Sequence, residues 1–208
     1  MTKLLCICLP ENQNGLYENL YARAALDRKL RADQYRRRED ALRCLAAGEL
    51  LRRIVEQELG LTEFTVVQGP NCKPHIAGQD NFHYNLSHSG NRVVIAWGYS
   101  PVGVDVQQMD QKVGKEALAK RYFTHEEQEF ILEQPEVIDE RFYRVWTGKE
   151  SYLKYLGTGL RKSLDSFSVL SPDIARMLRV WYLPDGCCVS LCTADQDSIL
   201  EPEERFFS

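Results

Sequence analysis

Residues 83–106, HYNLSHSGNRVVIAWGYSPVGVDV, decide how the rest of the chain is read. His83 to Ser87 and Arg92 to Gly98 are two short strand-like runs separated by the turn signal Ser89-Gly90-Asn91. Val102 to Val106 follows as a third run after Ser100-Pro101. Such closely spaced runs predict mostly antiparallel strands.

Upstream, Lys3 to Leu9 (KLLCICL) predicts a buried strand, and residues 18–59 predict helix with a break near 32–35. Within 38–59, Leu42, Leu45, Ala46, Ile54, Val55 and Leu59 recur at helical spacing, and Gly60 is a natural stop. Phe64 to Gln68 predicts a short strand, and Gly69 to Asn81, with two Pro and two Gly, a loop. Downstream, helices are expected at 113–122, 125–134 and 137–156. Strands are expected at 166–170, 177–183 and 187–193, the last two joined by Pro184-Asp185-Gly186. Helices and short strands mixed within each half predict an α+β fold rather than a doubly wound parallel sheet. At about 150 residues per domain, 208 residues make one large domain or two small ones. The boundary is expected near residue 100, giving halves 1–100 and 101–208, with 199–208 a loosely attached acidic tail.

Apolar residues make up 44% and charged residues 27%, an ordinary globular balance. No run approaches the ~18 apolar residues of a membrane span. The N-terminal apolar run is ended at once by Pro10 and Glu11, too early for an export signal, so a cytoplasmic protein is expected. The seven cysteines, at 6, 8, 44, 72, 187, 188 and 192, form no Cys-x-x-Cys pair, which favours buried thiols over disulfides or zinc. The net charge of −4 is an average: 23–53 carries +5, 104–150 carries −4 and 195–208 carries −4. A basic helical region beside an acidic remainder suits a small polyanion, or else is a solvated face with internal ion pairs.

No Gly-x-Gly-x-x-Gly, Walker loop or Gly-x-Ser-x-Gly elbow is present. Two segments carry chemistry instead. In Val102-Gly103-Val104-Asp105-Val106-Gln107, an acid sits inside an apolar strand, where it needs a cation, a metal or several donors. In Trp146-Thr147-Gly148-Lys149-Glu150-Ser151-Tyr152-Leu153-Lys154, Trp146, Glu150 and Lys154 fall four apart on one helix face. Asp105 and Glu150 together are hard oxygen donors with the preferences of Mg²⁺. The Arg and Lys residues of 28–43, with Lys73 and His88, could hold phosphates.

These stretches, with Arg38-Glu39-Asp40-Ala41-Leu42-Arg43, Lys73-Pro74, His83–Gly90 and Tyr122-Phe123-Thr124-His125-Glu126-Glu127, resemble the Sfp-type 4′-phosphopantetheinyl transferases in order and spacing from about residue 25 to 170. The resemblance implies two similar α+β halves related by a pseudo-twofold. It also implies a reaction: Mg²⁺-dependent (or Mn²⁺-dependent) transfer of the phosphopantetheine arm of coenzyme A to a serine of an apo acyl or peptidyl carrier protein. Adenosine 3′,5′-bisphosphate is the by-product. By the same resemblance Asp105 and Glu150 hold the metal, with Gln107 or a water as third ligand, Glu150 is the candidate base and Lys154 neutralises phosphate charge. Arg28, Arg31, Arg43, Ser87 and His88 match positions around the 3′-phosphate, and Lys73 a nucleotide-phosphate contact. Gln107 stands where relatives often carry an acid, Cys44 where some carry a hydroxyl, and Cys72 where Gly is usual. Glu127 matches a family acidic position, but Thr124-x-x-Glu127 also makes a capping box, the role expected for it. A monomer with no nucleic-acid or membrane partner is expected. The rival readings are a coenzyme A-binding module that transfers poorly and a nucleic-acid binder using 23–53.

Overall fold

The computed structural model describes all residues except 12, 70–72, 159–161, 196–201 and 208, so Cys72 and residues 199–201 and 208 of the expected tail lie outside the described residues. The element order is β1 (Lys3–Cys8), α1 (Leu16–Arg23), α2 (Leu26–Ala32), α3 (Arg38–Leu59), β2 (Val66–Gln68), β3 (Pro74–Ile76), β4 (His83–Ser89), β5 (Arg92–Gly98) and β6 (Val102–Gln108). Then follow α4 (Lys115–Tyr122), α5 (His125–Leu132), α6 (Ile138–Leu156), α7 (Pro172–Ala175), β7 (Leu178–Tyr182), β8 (Cys187–Thr193) and β9 (Glu203–Phe206). The mixture of helices and largely antiparallel strands is α+β.

The first sheet has the order β4-β5-β1-β9 and the second β6-β8-β7, with β2 and β3 pairing apart. Alternation along the strands explains why β1 and β5 read as unbroken apolar runs: they are covered on both faces. Leu5, Ile7, Val93 and Ile95 pack with Leu42, Leu45, Ala46, Ile54 and Val55 of α3. Leu4, Cys6, Val94 and Ala96 face the other way and pack with Val102, Val104, Val106, Val189 and Leu191 of the second sheet. The opposite face of that second sheet, with Cys188, Leu178 and Val180, packs with Phe142, Val145 and Leu153 of α6. The order from outside to outside is therefore helix, sheet, sheet, helix.

Gly103 sets how closely α6 lies on β6. A Cβ there would collide with the Ser151 carbonyl oxygen and the Tyr155 backbone nitrogen, and would lie 2.9 Å from the Tyr155 Cα. Only glycine allows this approach.

Four expectations are corrected. The described part of the tail is docked: β9 runs parallel to β1, with Leu5 opposite Glu203 and Cys8 opposite Phe206, and the Phe207 backbone N–H donates to the Cys8 carbonyl at 3.0 Å. The segment 166–170 is not a strand but a 3₁₀ turn (Leu164–Ser166) and bend, because side chains claim its backbone. Lys149 Nζ donates to the Leu164 and Phe167 carbonyls, and the Val169 N–H donates to Glu127 Oε1. The expected loop 69–81 contains β3. The first helical region breaks twice, at Ala24-Ala25 and at 33–37. The six described cysteines are free thiols, and burial pushes Cys6, Cys187, Cys188 and Cys192 up to about 12.

Candidate active site

Asp105 lies mid-strand on the β6 face turned towards α6, 2% exposed. Its Oδ1 accepts from Lys154 Nζ at 2.6 Å and from Ser87 Oγ at 2.8 Å, and its Oδ2 accepts from Gln107 Nε2 at 3.1 Å. The buried carboxylate is thus met by a cation and two neutral donors. Lys154 Nζ also donates to Ser87 Oγ (3.2 Å) and to the Val104 carbonyl (3.1 Å).

Ser87 is held there by an unusual seam. β6 is an edge strand of its sheet. Its Val104, Val106 and Gln108 N–H groups donate to Asn85 Oδ1, Ser87 Oγ and Ser89 Oγ of β4, at 2.8, 3.2 and 2.9 Å. Alternate side chains of β4 take the place of a backbone ladder, so two sheets join without merging and the edge is blunted. Sequence reading missed Asn85 and Ser89. The signal was the polar residue at every second position of a strand whose other positions face the core.

Glu150 follows one turn before Lys154 on α6 and makes no hydrogen bond or ion pair with another described residue. Burial, then the negative charge of Asp105, raises its carboxyl above the ordinary carboxylate range, with Lys154 opposing. A glutamate raised by burial and by a neighbouring carboxylate would be relieved by a hard divalent cation, so the residues fit Mg²⁺. Among the described residues no group of three or more His, Cys, Asp or Glu is arranged to hold a metal. Gln107 spends its amide N–H on Asp105. Trp146, the third residue of the helix face, stacks on Phe142 with centroids 5.8 Å apart and serves the core.

Beside this cluster opens a cavity of about 590 Å³. Its lining includes Arg28, Arg31, Cys44 of α3, and Tyr84, Leu86 and His88 of β4. Arg28 lies along α3 because residue 48 has no side chain: a Cβ on Gly48 would meet its Cγ and Nε at 2.9 Å. Burial first, then Arg43 and Lys154, lowers His88, so its imidazole is neutral at pH 7. Arg43 donates to the Gly90 carbonyl at 2.8 Å and pairs with Asp40, while its Nε is sealed from solvent without a partner.

The structure therefore brings Asp105, Glu150, Lys154, Ser87 and Gln107 together, and Arg28, Arg31 and His88 around the adjoining cavity. Arg43, Lys73 and Ser87, all expected at the phosphates, do not line that cavity. Lys73 Nζ instead donates to the Val102 carbonyl at 2.9 Å and the Tyr155 carbonyl at 3.0 Å, tying the β3 approach to the start of β6 and the end of α6. Burial lowers its ammonium to about 8. Glu127 closes the capping box with Thr124 and also pairs with Lys149 at 2.7 Å in full burial.

Comparison with known proteins adds to this geometry. The family model described as the 4′-phosphopantetheinyl transferase superfamily matches residues 101–198. A 4′-phosphopantetheinyl transferase of Bacillus subtilis is 31% identical over 189 residues, covering 88% of this chain and 83% of that protein. The 4′-phosphopantetheinyl transferase psf-1 of Bacillus pumilus is 33% identical over 84% of this chain and 75% of its own length. HetI, a 4′-phosphopantetheinyl transferase of Nostoc sp., is 30% identical over 87% and 81% respectively.

Proposed function

We propose that this chain, which belongs to the 4′-phosphopantetheinyl transferase family and is an enzyme of the holo-carrier-protein synthase type, moves the 4′-phosphopantetheine arm of coenzyme A to a serine of an apo acyl or peptidyl carrier protein. One observation carries the reading: a buried acid, a lysine and an unpartnered glutamate meet beside a cavity walled by two arginines and a neutral histidine.

Arg28, Arg31 and His88 would bind the 3′-phosphate, while Arg43 stays with Asp40 and the Gly90 carbonyl. Phosphoryl transfer needs positioning and charge neutralisation more than covalent help from the protein. Asp105 and Glu150 would hold Mg²⁺ (or Mn²⁺), with water completing its shell at the position where Gln107 is a weak donor, and the ion supplies neutralisation of the pyrophosphate. Lys154, aimed from α6, adds a second positive charge. Glu150, directly or through water, takes the proton from the carrier serine as that oxygen forms its bond to the β-phosphorus. The phosphoanhydride bond breaks and adenosine 3′,5′-bisphosphate leaves. Lys73, whose ammonium is engaged by two carbonyls, is assigned to holding the two carboxylate-bearing elements against the nucleotide wall.

Matching strand orders, β4-β5-β1 and β7-β8-β6, support reading the halves 1–100 and 101–208 as related by a pseudo-twofold. The six free thiols fit a cytoplasmic protein, which we read as a monomer. The test is incubation with coenzyme A, Mg²⁺ and a panel of apo carriers, followed by intact-mass spectrometry. Addition of the arm to carrier serine supports the reading, and no addition to any carrier, with coenzyme A bound, favours the binding-module alternative.

A further inference from the structure

Tyr84 is 2% exposed, and its ring packs in the first core under α3. Its hydroxyl has no hydrogen-bond partner among the described residues. Buried tyrosines normally find a partner for that group. Among the described residues three side-chain polar atoms are sealed from solvent without a partner, Arg43 Nε, Trp97 Nε1 and Thr158 Oγ1, and the Tyr84 hydroxyl is not one of them. It reaches open space, and the space it borders is the 590 Å³ cavity. Leu86 and His88 share its strand face at two-residue spacing and line the same wall. Arg28, Asp27 and Arg31 line the same cavity and are the charges that act on its hydroxyl.

We propose that Tyr84 is a further substrate-binding residue, its hydroxyl donating a hydrogen bond to the phosphoryl group that Arg28 and Arg31 hold and so sharpening the preference for a nucleotide with a 3′-phosphate. A donor on a strand, with a ring fixed by the core, is already in place before the ligand arrives, so little conformational freedom is lost on binding. Its neutral O–H also works beside Asp27, because it brings a donor to the phosphate without adding to the charge already there. The inference rests on the proposed function, which makes this cavity the nucleotide site.

The test is calorimetric titration of wild type and Tyr84→Phe with coenzyme A and with 3′-dephospho-coenzyme A. Phe keeps the packed ring, and the dephospho ligand reports whether the pocket is intact. The expected result is coenzyme A binding weakened about tenfold or more, the usual loss for a hydrogen bond to a charged group, with dephospho-coenzyme A unchanged within about twofold. Unchanged coenzyme A affinity, or equal weakening of both ligands, overturns the assignment of Tyr84 while leaving the proposed function standing. A wild-type protein that binds both ligands equally overturns the assignment and the cavity reading together.

Discussion

At Asp105 and Glu150 two acids of different environment sit side by side. Asp105 has three donors, whereas Glu150 has none among the described residues and is raised by burial and by its neighbour. Neutralising each without removing its bulk separates chemistry from folding. Asp105→Asn and Glu150→Gln should each lower transfer to an apo carrier by about 10²–10⁴-fold, with far-ultraviolet circular dichroism unchanged. Near-wild-type rates in both variants would dismiss the carboxylate pair. That these two acids belong together was legible from residue type alone, as an acid in an apolar strand and an acid one helical turn from a lysine. What Lys73 does was not legible. A lysine next to a proline looks like a free cation, and only the tertiary approach of two carbonyls reveals its occupation.

At the scale of elements, α6 must lie almost on the backbone of β6 for Lys154 to reach Asp105. Gly103→Ala should therefore destabilise the fold by about 3 kcal/mol or more, since the obstructing atoms are backbone and cannot turn aside. At this chain length that is a melting temperature lower by roughly 6–12 °C. A variant melting within a degree of wild type would show that the helix can ride higher. The Lys73 strap carries a pH signature. Its folded value of about 8 lies below the ordinary ~10.4, so the unfolded chain holds the extra proton between them. Stability from this group is lowest and constant below about pH 8 and rises as pH climbs towards ~10.4. Wild type should gain stability relative to Lys73→Met between pH 7 and pH 10 in chemical denaturation, and a constant difference would place the ammonium in solvent. Helices with strong periodicity, such as α3 and α6, were read within a residue or two. The 166–170 segment was misread because Lys149 and Glu127, buried and distant in sequence, take its backbone groups. β9 was misread because its charged residues hide a strand whose place is set by Arg92.

In the whole molecule Arg92 is the point where three parts meet. It sits in β5, only 6% exposed, and pairs with Asp185 in the β7–β8 turn at 2.5 Å and with Glu204 in β9 at 2.8 Å. Phe207 beyond it lies under the Arg53 guanidinium, 5.6 Å from ring centroid to charge. Removing residues 202–208 should cost roughly 2–4 kcal/mol in lost pairing and uncover the outer edge of β1, a template for association. Lower melting with a shift towards larger species in size-exclusion chromatography is the expected outcome, and unchanged elution with unchanged melting would mean that β9 contributes nothing.

The seam between β4 and β6 has one more consequence. The Ser87 oxygen closes the joint between the sheets and also bonds both Asp105 and Lys154 of the candidate site. Selection for a faster or differently tuned catalyst cannot explore this position freely, because nearly every replacement loosens the joint first. In a randomised library spanning 85, 87 and 89, most variants should be lost to poor yield before their turnover is ever measured.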